Sequence, residues 1–288
     1  MQPLSMLHSS ETDDIEQTWR TLRDWFGMEL FVKFDIGTPG QTMNILVDSG
    51  SDWFWINSVD CELCGGRNAH DYDPEKSSSE VMNDGRFPQV ILRYGSGDAK
   101  GVQMTERVCL KQTNQCQAYL EGSNSLVDNA EQACDDLCVD DLNMVLVTWV
   151  DSGLSSLFSD GLVGLSPTKI GDQRPDLFIE KAYEQGVIDE KIFSIKFGGD
   201  DASSMITFGG YDTDSFAKEE LTWYPNFTYY SQHYFWAVYM DGVQIGDEYI
   251  SEDVEKMLVV DSGSSYILMP WSFFEGFMET LNEASTCW

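Results

Sequence analysis

Basic side chains are scarce in this 288-residue chain: 17 Lys and Arg stand against 49 Asp and Glu, a formal net charge of −32. A surface with that balance cannot replace the counterions around phosphates, which excludes a nucleic-acid partner. Long apolar runs are missing as well. The best, Met144 to Val150, is far below the roughly 20 residues of a membrane helix, so no membrane span is expected. The amino end shows no charged stretch leading into an apolar one, so no secretory leader is visible. Histidines are few, His8, His70 and His233, and none sits where it would complete a mixed zinc site with the cysteines. No Asp-x-Asp-x-Asp-Gly run of the calcium-loop kind occurs, and the acidic surplus reads as solvated surface. No metal is expected.

Apolar residues make up 42% of the sequence and aromatics 13%, ample for a buried core in one large or two medium domains. The charge fits a soluble acidic protein, or one meant for an acidic compartment, where protonation relieves repulsion between carboxylates. Seven cysteines fall as Cys61/Cys64, Cys109/Cys116, Cys134/Cys138 and a lone Cys287. Local disulfides are the favoured reading of these pairs and imply an oxidising, secretory route; Cys109 and Cys116 flank a polar turn that a bridge could close. The sequon Asn226-Phe227-Thr228 fits that route. Such chemistry without a leader makes an incomplete or processed amino end the expectation.

One stretch occurs twice. Leu46-Val47-Asp48-Ser49-Gly50-Ser51 near the start is matched by Val259-Val260-Asp261-Ser262-Gly263-Ser264 near the end. Each copy delivers a carboxylate from an apolar strand-like run into a Gly-containing turn. Such self-similarity implies a duplicated half, with two lobes facing two carboxylates. Carboxyls held within hydrogen-bond reach cannot both ionise; they share a proton, and one becomes an acid and the other a base.

From Phe31, through Ile36-Gly37-Thr38-Pro39-Gly40-Gln41 and Asp48-Ser49-Gly50-Ser51, the sequence resembles the pepsin-type (A1) aspartic peptidases. Other segments extend the resemblance to about residues 29–275. Val90-Ile91-Leu92-Arg93-Tyr94-Gly95-Ser96-Gly97 resembles the family's flap, a hairpin that closes over substrate. Trp55 stands where the family has a Trp supporting the flap tyrosine. Ser159-Asp160-Gly161-Leu162-Val163-Gly164-Leu165 resembles the segment that braces the aspartate loop. Phe208-Gly209-Gly210-Tyr211-Asp212, Trp223 to Pro225 and Tyr234 to Val238 match signatures leading to the second Asp. The resemblance implies an all-β, bilobal pepsin-like fold with an inter-lobe cleft. Asp48 and Asp261 would be catalytic. Tyr94, Gly95, Ser96, Gly97, Ser51, Trp55, Gly50, Gly263, Ser264, Leu46 and Leu162 would contact substrate or support its walls, the two leucines at an apolar pocket. A peptide or protein substrate and a pepstatin-like inhibitor are the implied ligands, with no cofactor, in the secretory pathway, an acidic vacuole or lysosome, or outside the cell.

Periodicity supplies the elements. Ser10 to Phe26 reads as a helix, with Ile15, Trp19, Leu22 and Phe26 at helical spacing. Residues 1–28 are thus an amino-terminal helical extension, packed on the lobe or left from a prosegment. From Leu30 the period is two, and a hairpin through Gly37-Thr38-Pro39-Gly40 feeds Asp48. A helix over Pro175 to Gln185 should stop at Gly186. Strands Ile192 to Phe197 and Met205 to Asp212 close one lobe and open the next. The amino-terminal lobe is placed at 29–197 and a partial carboxyl-terminal lobe at 198–288.

The resemblance breaks at the end. The chain stops 27 residues after Asp261, and nothing in Ser265 to Trp288 repeats the bracing segment around Asp160. An incomplete second lobe with exposed apolar surface is expected, and Cys287 would be a disulfide partner without its mate. A fragmentary gene model, a truncated isoform and a divergent inactive relative fit equally. Two functions follow: an acid endopeptidase, or a silent relative that binds peptides in a surviving groove.

Overall fold

A computed structural model describes residues 29–64, 70–82, 89–110, 138–170, 175–197, 205–211, 213, 217, 219–228, 233–246, 248–251 and 257–284. The helix expected over Ser10 to Phe26 lies outside these residues, as do Cys116, Cys134 and Cys287.

The predicted hairpin is present. Strand β1 (Phe31–Ile36) pairs antiparallel with β2 (Gln41–Asp48), and Gly37, at φ +88°, turns the chain between them. There follow β3 (Phe54–Glu62), β4 (Val81–Met82), β5 (Val90–Tyr94), β6 (Gly97–Leu110), β7 (Cys138–Val150) and β8 (Gly161–Gly164). They form one sheet in the order β1-β2-β8-β3-β7-β6-β4, with β5 also on β6. A further pairing of β1 with β6 closes β1-β2-β8-β3-β7-β6 into a ring, and closure removes open edges.

The central strands are buried on both faces, so neighbouring residues enter different cores. Ile45 and Val47 of β2, Phe54 and Ile56 of β3, Met144 and Leu146 of β7 and Val163 of β8 point into one cluster. Leu46, Trp55, Val145, Val147 and Leu162, from the same strands, point into the other. That is why these segments read as continuous apolar runs where β1 alternates. The first cluster is capped by Phe178 and Ala182 of helix α1 (Phe178–Glu184) and by Phe208. Phe178 meets Phe34 and Phe208 edge-on, each at 5.5 Å between centroids.

Helix α1 is shorter than expected at its start. Pro175 and Asp176 stay outside because the Asp176 carboxylate accepts Asn143 N of β7 at 3.1 Å and Lys181 Nζ at 3.3 Å. Gly186, at φ +72°, ends it as predicted. Strands β9 (Phe193–Lys196) and β10 (Met205–Phe208) pair antiparallel. Beyond them lie two small pairs, β11 (Ala237–Tyr239) with β14 (Met257–Val259) and β12 (Val243–Ile245) with β13 (Glu248–Ser251). Helix α2 (Trp271–Ala284) packs on the latter pair. The sequence reading missed α2, although Phe273, Phe274, Phe277, Met278 and Leu281 after Pro270 have helical spacing. No helix among the described residues is long and apolar enough to cross a membrane.

This part has little interior: Ala237 and Phe273 are buried, whereas Ile267 is 84% and Leu268 79% exposed. Exposed apolar surface was the expectation for it.

The disulfides are half as expected. Cys61 pairs with Cys64, but Cys109 pairs with Cys138, which corrects both the Cys109/Cys116 and the Cys134/Cys138 assignments. The reason is register: β6 and β7 run antiparallel with Cys109 directly opposite Cys138. The bond spans 29 residues. Replacing both cysteines by alanine is expected to lower stability by about 2–4 kcal/mol in chemical denaturation. Non-reducing peptide mapping should join Cys109 to Cys138; a Cys109–Cys116 peptide would refute the register.

Candidate active site

Strand β2 ends at Asp48 and β14 ends two residues before Asp261, so each carboxylate stands at the mouth of a Ser-Gly-Ser turn. The two turns grip each other. Ser49 N donates to Ser262 Oγ at 3.0 Å and Ser262 N to Ser49 Oγ at 2.9 Å. Ser49 Oγ donates to Val260 O at 2.9 Å and Ser262 Oγ to Val47 O at 2.7 Å. Each hydroxyl thus donates and accepts, which a single serine oxygen can do at once.

The carboxylates are held alike. Gly50 N donates to Asp48 Oδ1 and Gly263 N to Asp261 Oδ1, both at 2.9 Å. Ser51 Oγ donates to Asp48 Oδ2, and Ser264 Oγ to Asp261 Oδ2 at 2.8 Å. Glycine is required by close approach: a Cβ on Gly50 would lie 2.6 Å from Asp261 Cγ, and one on Gly263 would lie 2.7 Å from Asp48 Cγ. Burial is the main cause that raises the Asp48 carboxyl to about 7. The Ser51 hydroxyl opposes it, and the charge and hydrogen bond of Asp261 add to it.

Bracing is unequal. Leu165 N donates to Asp48 O at 2.8 Å, Gly164 N to Trp53 O at 2.8 Å and Ser166 N to Ser51 O at 2.9 Å. Strand β8 lies parallel to β2 with Gly164 opposite Asp48. The loop of Asp261 is reached by Val260 N, which donates to Trp236 O at 2.8 Å, while Trp236 Nε1 donates to Leu165 O at 2.7 Å. Among the described residues β14 has no strand partner besides β11.

The β5–β6 hairpin turns through Gly95 and Ser96, with Tyr94 opposite Gly97. Trp55 Nε1 donates to Tyr94 Oη at 2.9 Å. Burial first, then the charge of Asp48, pushes the Tyr94 phenol well above its ordinary value, which keeps it neutral. Leu46 and Leu162 are register partners and each is 4% exposed; they pack in the cluster that contains Trp55 and Val90.

Several buried acids were not singled out from sequence. Asp52, one residue beyond the first motif, is 5% exposed and its Oδ2 accepts Ile170 N at 2.5 Å; burial raises its carboxyl. Asp160, within the bracing segment, accepts Asn44 N at 2.7 Å and His70 N at 2.5 Å. Glu106, fully buried, accepts Tyr72 Oη at 2.5 Å, Ser77 Oγ at 2.7 Å and Ser79 Oγ at 2.6 Å. The signal for Glu106 was an acid in the alternating strand β6, whose buried positions are otherwise apolar.

An all-β scaffold that presents two interlocked Asp-Ser-Gly-Ser loops defines the class of acid proteases with paired aspartates. The chain belongs to the eukaryotic aspartyl protease family, whose model matches residues 29–287. It is 27% identical over 260 residues to a vacuolar aspartic protease of Candida albicans, covering 88% of this chain and 54% of that protein. It is 22% identical over 270 residues to pepsin A of Gallus gallus, covering 93% and 65%. Pepsin A of Canis lupus familiaris is 25% identical over 252 residues, covering 87% and 57%. The chain therefore spans little more than half to two thirds of the length of these relatives.

Two outcomes are expected. Because the folded-state value of Asp48 lies above its unfolded one, the folded chain binds that proton more tightly. The contribution to stability is therefore greatest below about pH 4 and is lost as pH rises toward 7, on the order of 2–4 kcal/mol. Denaturant titrations at pH 4 and 7.5 should show this loss in the wild type and a smaller one in Asp48→Asn; equal losses would place its source elsewhere. Ser49→Ala and Ser262→Ala should each cost about 1–3 kcal/mol. In a double-mutant cycle their effects should fall short of additivity by about 0.5 kcal/mol or more.

Proposed function

We propose that the chain carries an aspartic endopeptidase site that hydrolyses peptide bonds at acidic pH. Asp48, whose carboxyl is raised to about 7, holds the shared proton. A water bound between the two carboxyls gives a proton to Asp261 as its oxygen attacks the scissile carbonyl carbon. Asp48 donates its proton to the carbonyl oxygen, forming a tetrahedral gem-diol without a covalent enzyme intermediate. Asp261 then gives its proton to the amide nitrogen as the C–N bond breaks, while a gem-diol hydroxyl returns a proton to Asp48, which regenerates the carboxyl pair. The hairpin at Tyr94 to Gly97 covers the substrate and excludes solvent, while Trp55 and Ser51 support its near wall.

The observation that carries this reading is the reciprocal Ser49–Ser262 grip, which sets the carboxylates beside one another. Peptide or protein substrates, and a pepstatin-like inhibitor, are the ligands this site would take. The names of the vacuolar and pepsin relatives, the disulfides and the acidic charge support a secretory or vacuolar, acidic setting. The lobes are taken as 29–197 and 198–288, although Ile206 and Phe208, just beyond that division, pack in the first cluster with Phe178.

A second reading has its own support. The loop of Asp261 is bounded by exposed residues, with Val260 56% and Tyr266 67% exposed, and catalysis demands tighter positioning than binding does. A relative of this kind would hold peptides without cleaving them.

Cleavage of a quenched apolar peptide between pH 3 and 6 tests both. An endopeptidase loses at least about 100-fold in rate with Asp48→Asn or Asp261→Asn. Folded wild-type chain that binds the peptide without cutting it at any of these pH values would overturn the endopeptidase reading in favour of the binder.

A further inference from the structure

The tip of the β5–β6 hairpin is tied to a turn that no part of the chemistry above uses. Asp98 N, on the outgoing arm just past Gly97, donates to Asp151 Oδ2 at 2.9 Å, and Asp151 N donates to Asp98 O at 3.0 Å. The other carboxylate oxygen closes the turn after β7, accepting Gly153 N at 2.9 Å and Leu154 N at 3.3 Å. Leu154 anchors this turn by packing in the cluster that holds Trp53 and Trp55. Gly153 lies against the Ser96 carbonyl with no space for a Cβ, and a Cβ on Gly97 would fall 2.7 Å from Asp151 Cγ.

We infer that Asp151 is a positioning residue, a latch that fixes the Tyr94–Gly97 hairpin in its pose beside Asp48. One carboxylate serves two segments: Oδ2 holds the hairpin arm and Oδ1 holds the turn on which the tip rests. A neutral side chain cannot present two acceptor oxygens in this way. The amide donors, that of Asp98 foremost, keep the Asp151 carboxyl below its ordinary value, in keeping with bonds to the charged form. Register transmits the constraint, because Asp98 lies opposite Arg93 and Gly97 opposite Tyr94. Loss of the latch therefore loosens the residue that meets Trp55, without touching either candidate catalytic carboxylate. The latch itself is a property of the fold; its effect on substrate rests on the endopeptidase reading.

Amide hydrogen exchange on the full chain, read by mass spectrometry, tests the latch without requiring turnover. Two variants divide its functions: Asp151→Asn keeps the shape but removes one acceptor, and Asp151→Ser keeps a hydroxyl for the turn that is too short for Asp98. Both should speed exchange in peptides covering 90–101 by about tenfold, with peptides covering 54–57 unchanged. Hairpin exchange within about twofold of wild type overturns the latch, and so does equal acceleration of both regions, which would mark a general structural role. In the cleavage assay the latch predicts a KM raised about tenfold at nearly constant kcat; a loss confined to kcat overturns it. A wild-type chain that does not cleave refutes the endopeptidase reading, and the exchange comparison then decides the latch alone.

Discussion

Everything proposed for this site depends on two serine hydroxyls that each serve both loops. Ser49 and Ser262 exchange amide-to-hydroxyl bonds and then donate to the carbonyls of Val260 and Val47. These bonds cross from one copy of the repeated motif to the other, and each copy supplies the same partners. A loop built this way cannot shift without breaking bonds in its counterpart. The grip also explains the glycines, since their missing side chains leave the room that the opposite carboxyl occupies. Burial, with the neighbouring Asp261 carboxyl, then separates Asp48 from ordinary surface acids.

The repeated motif and the turn chemistry around it were legible because they depend on local residue type. The β1–β2 hairpin, the Gly186 stop and the strand pair β9–β10 follow from periodicity and glycine placement over a few residues. The bracing segment was legible from its resemblance, and β8 lies beside β2 with Gly164 opposite Asp48. What was hidden depends on distant register. Cys116 is nearer to Cys109 in sequence, but ladder pairing sets Cys138 across from it. A spacing argument cannot see that a long connection returns in line.

The buried acids were hidden for a related reason. Asp52, Asp160 and Glu106 look like members of an acidic surface until the fold brings amides or hydroxyls to them. With 49 acids in the chain, composition cannot tell the few that are buried from the many in water. Only the alternation of β6, with an acid at an inward position, carried a trace of Glu106. Helix α2 occupies the stretch that fails to repeat the bracing strand of the first half. Its aromatic spacing was legible.

Closure of the first sheet leaves a consequence for how copies of this chain behave toward one another. The ring formed when β1 meets β6 offers no seam along which another strand could zip. The β11–β14 pair is the opposite case: short, with Met257 and Leu258 exposed, and uncovered on the side away from β11 among the described residues. At neutral pH the formal charge of −32 keeps such seams apart. In acid that electrostatic guard weakens, so short open ribbons of this kind weigh most on the colloidal stability of the chain in the pH range where its candidate chemistry would operate.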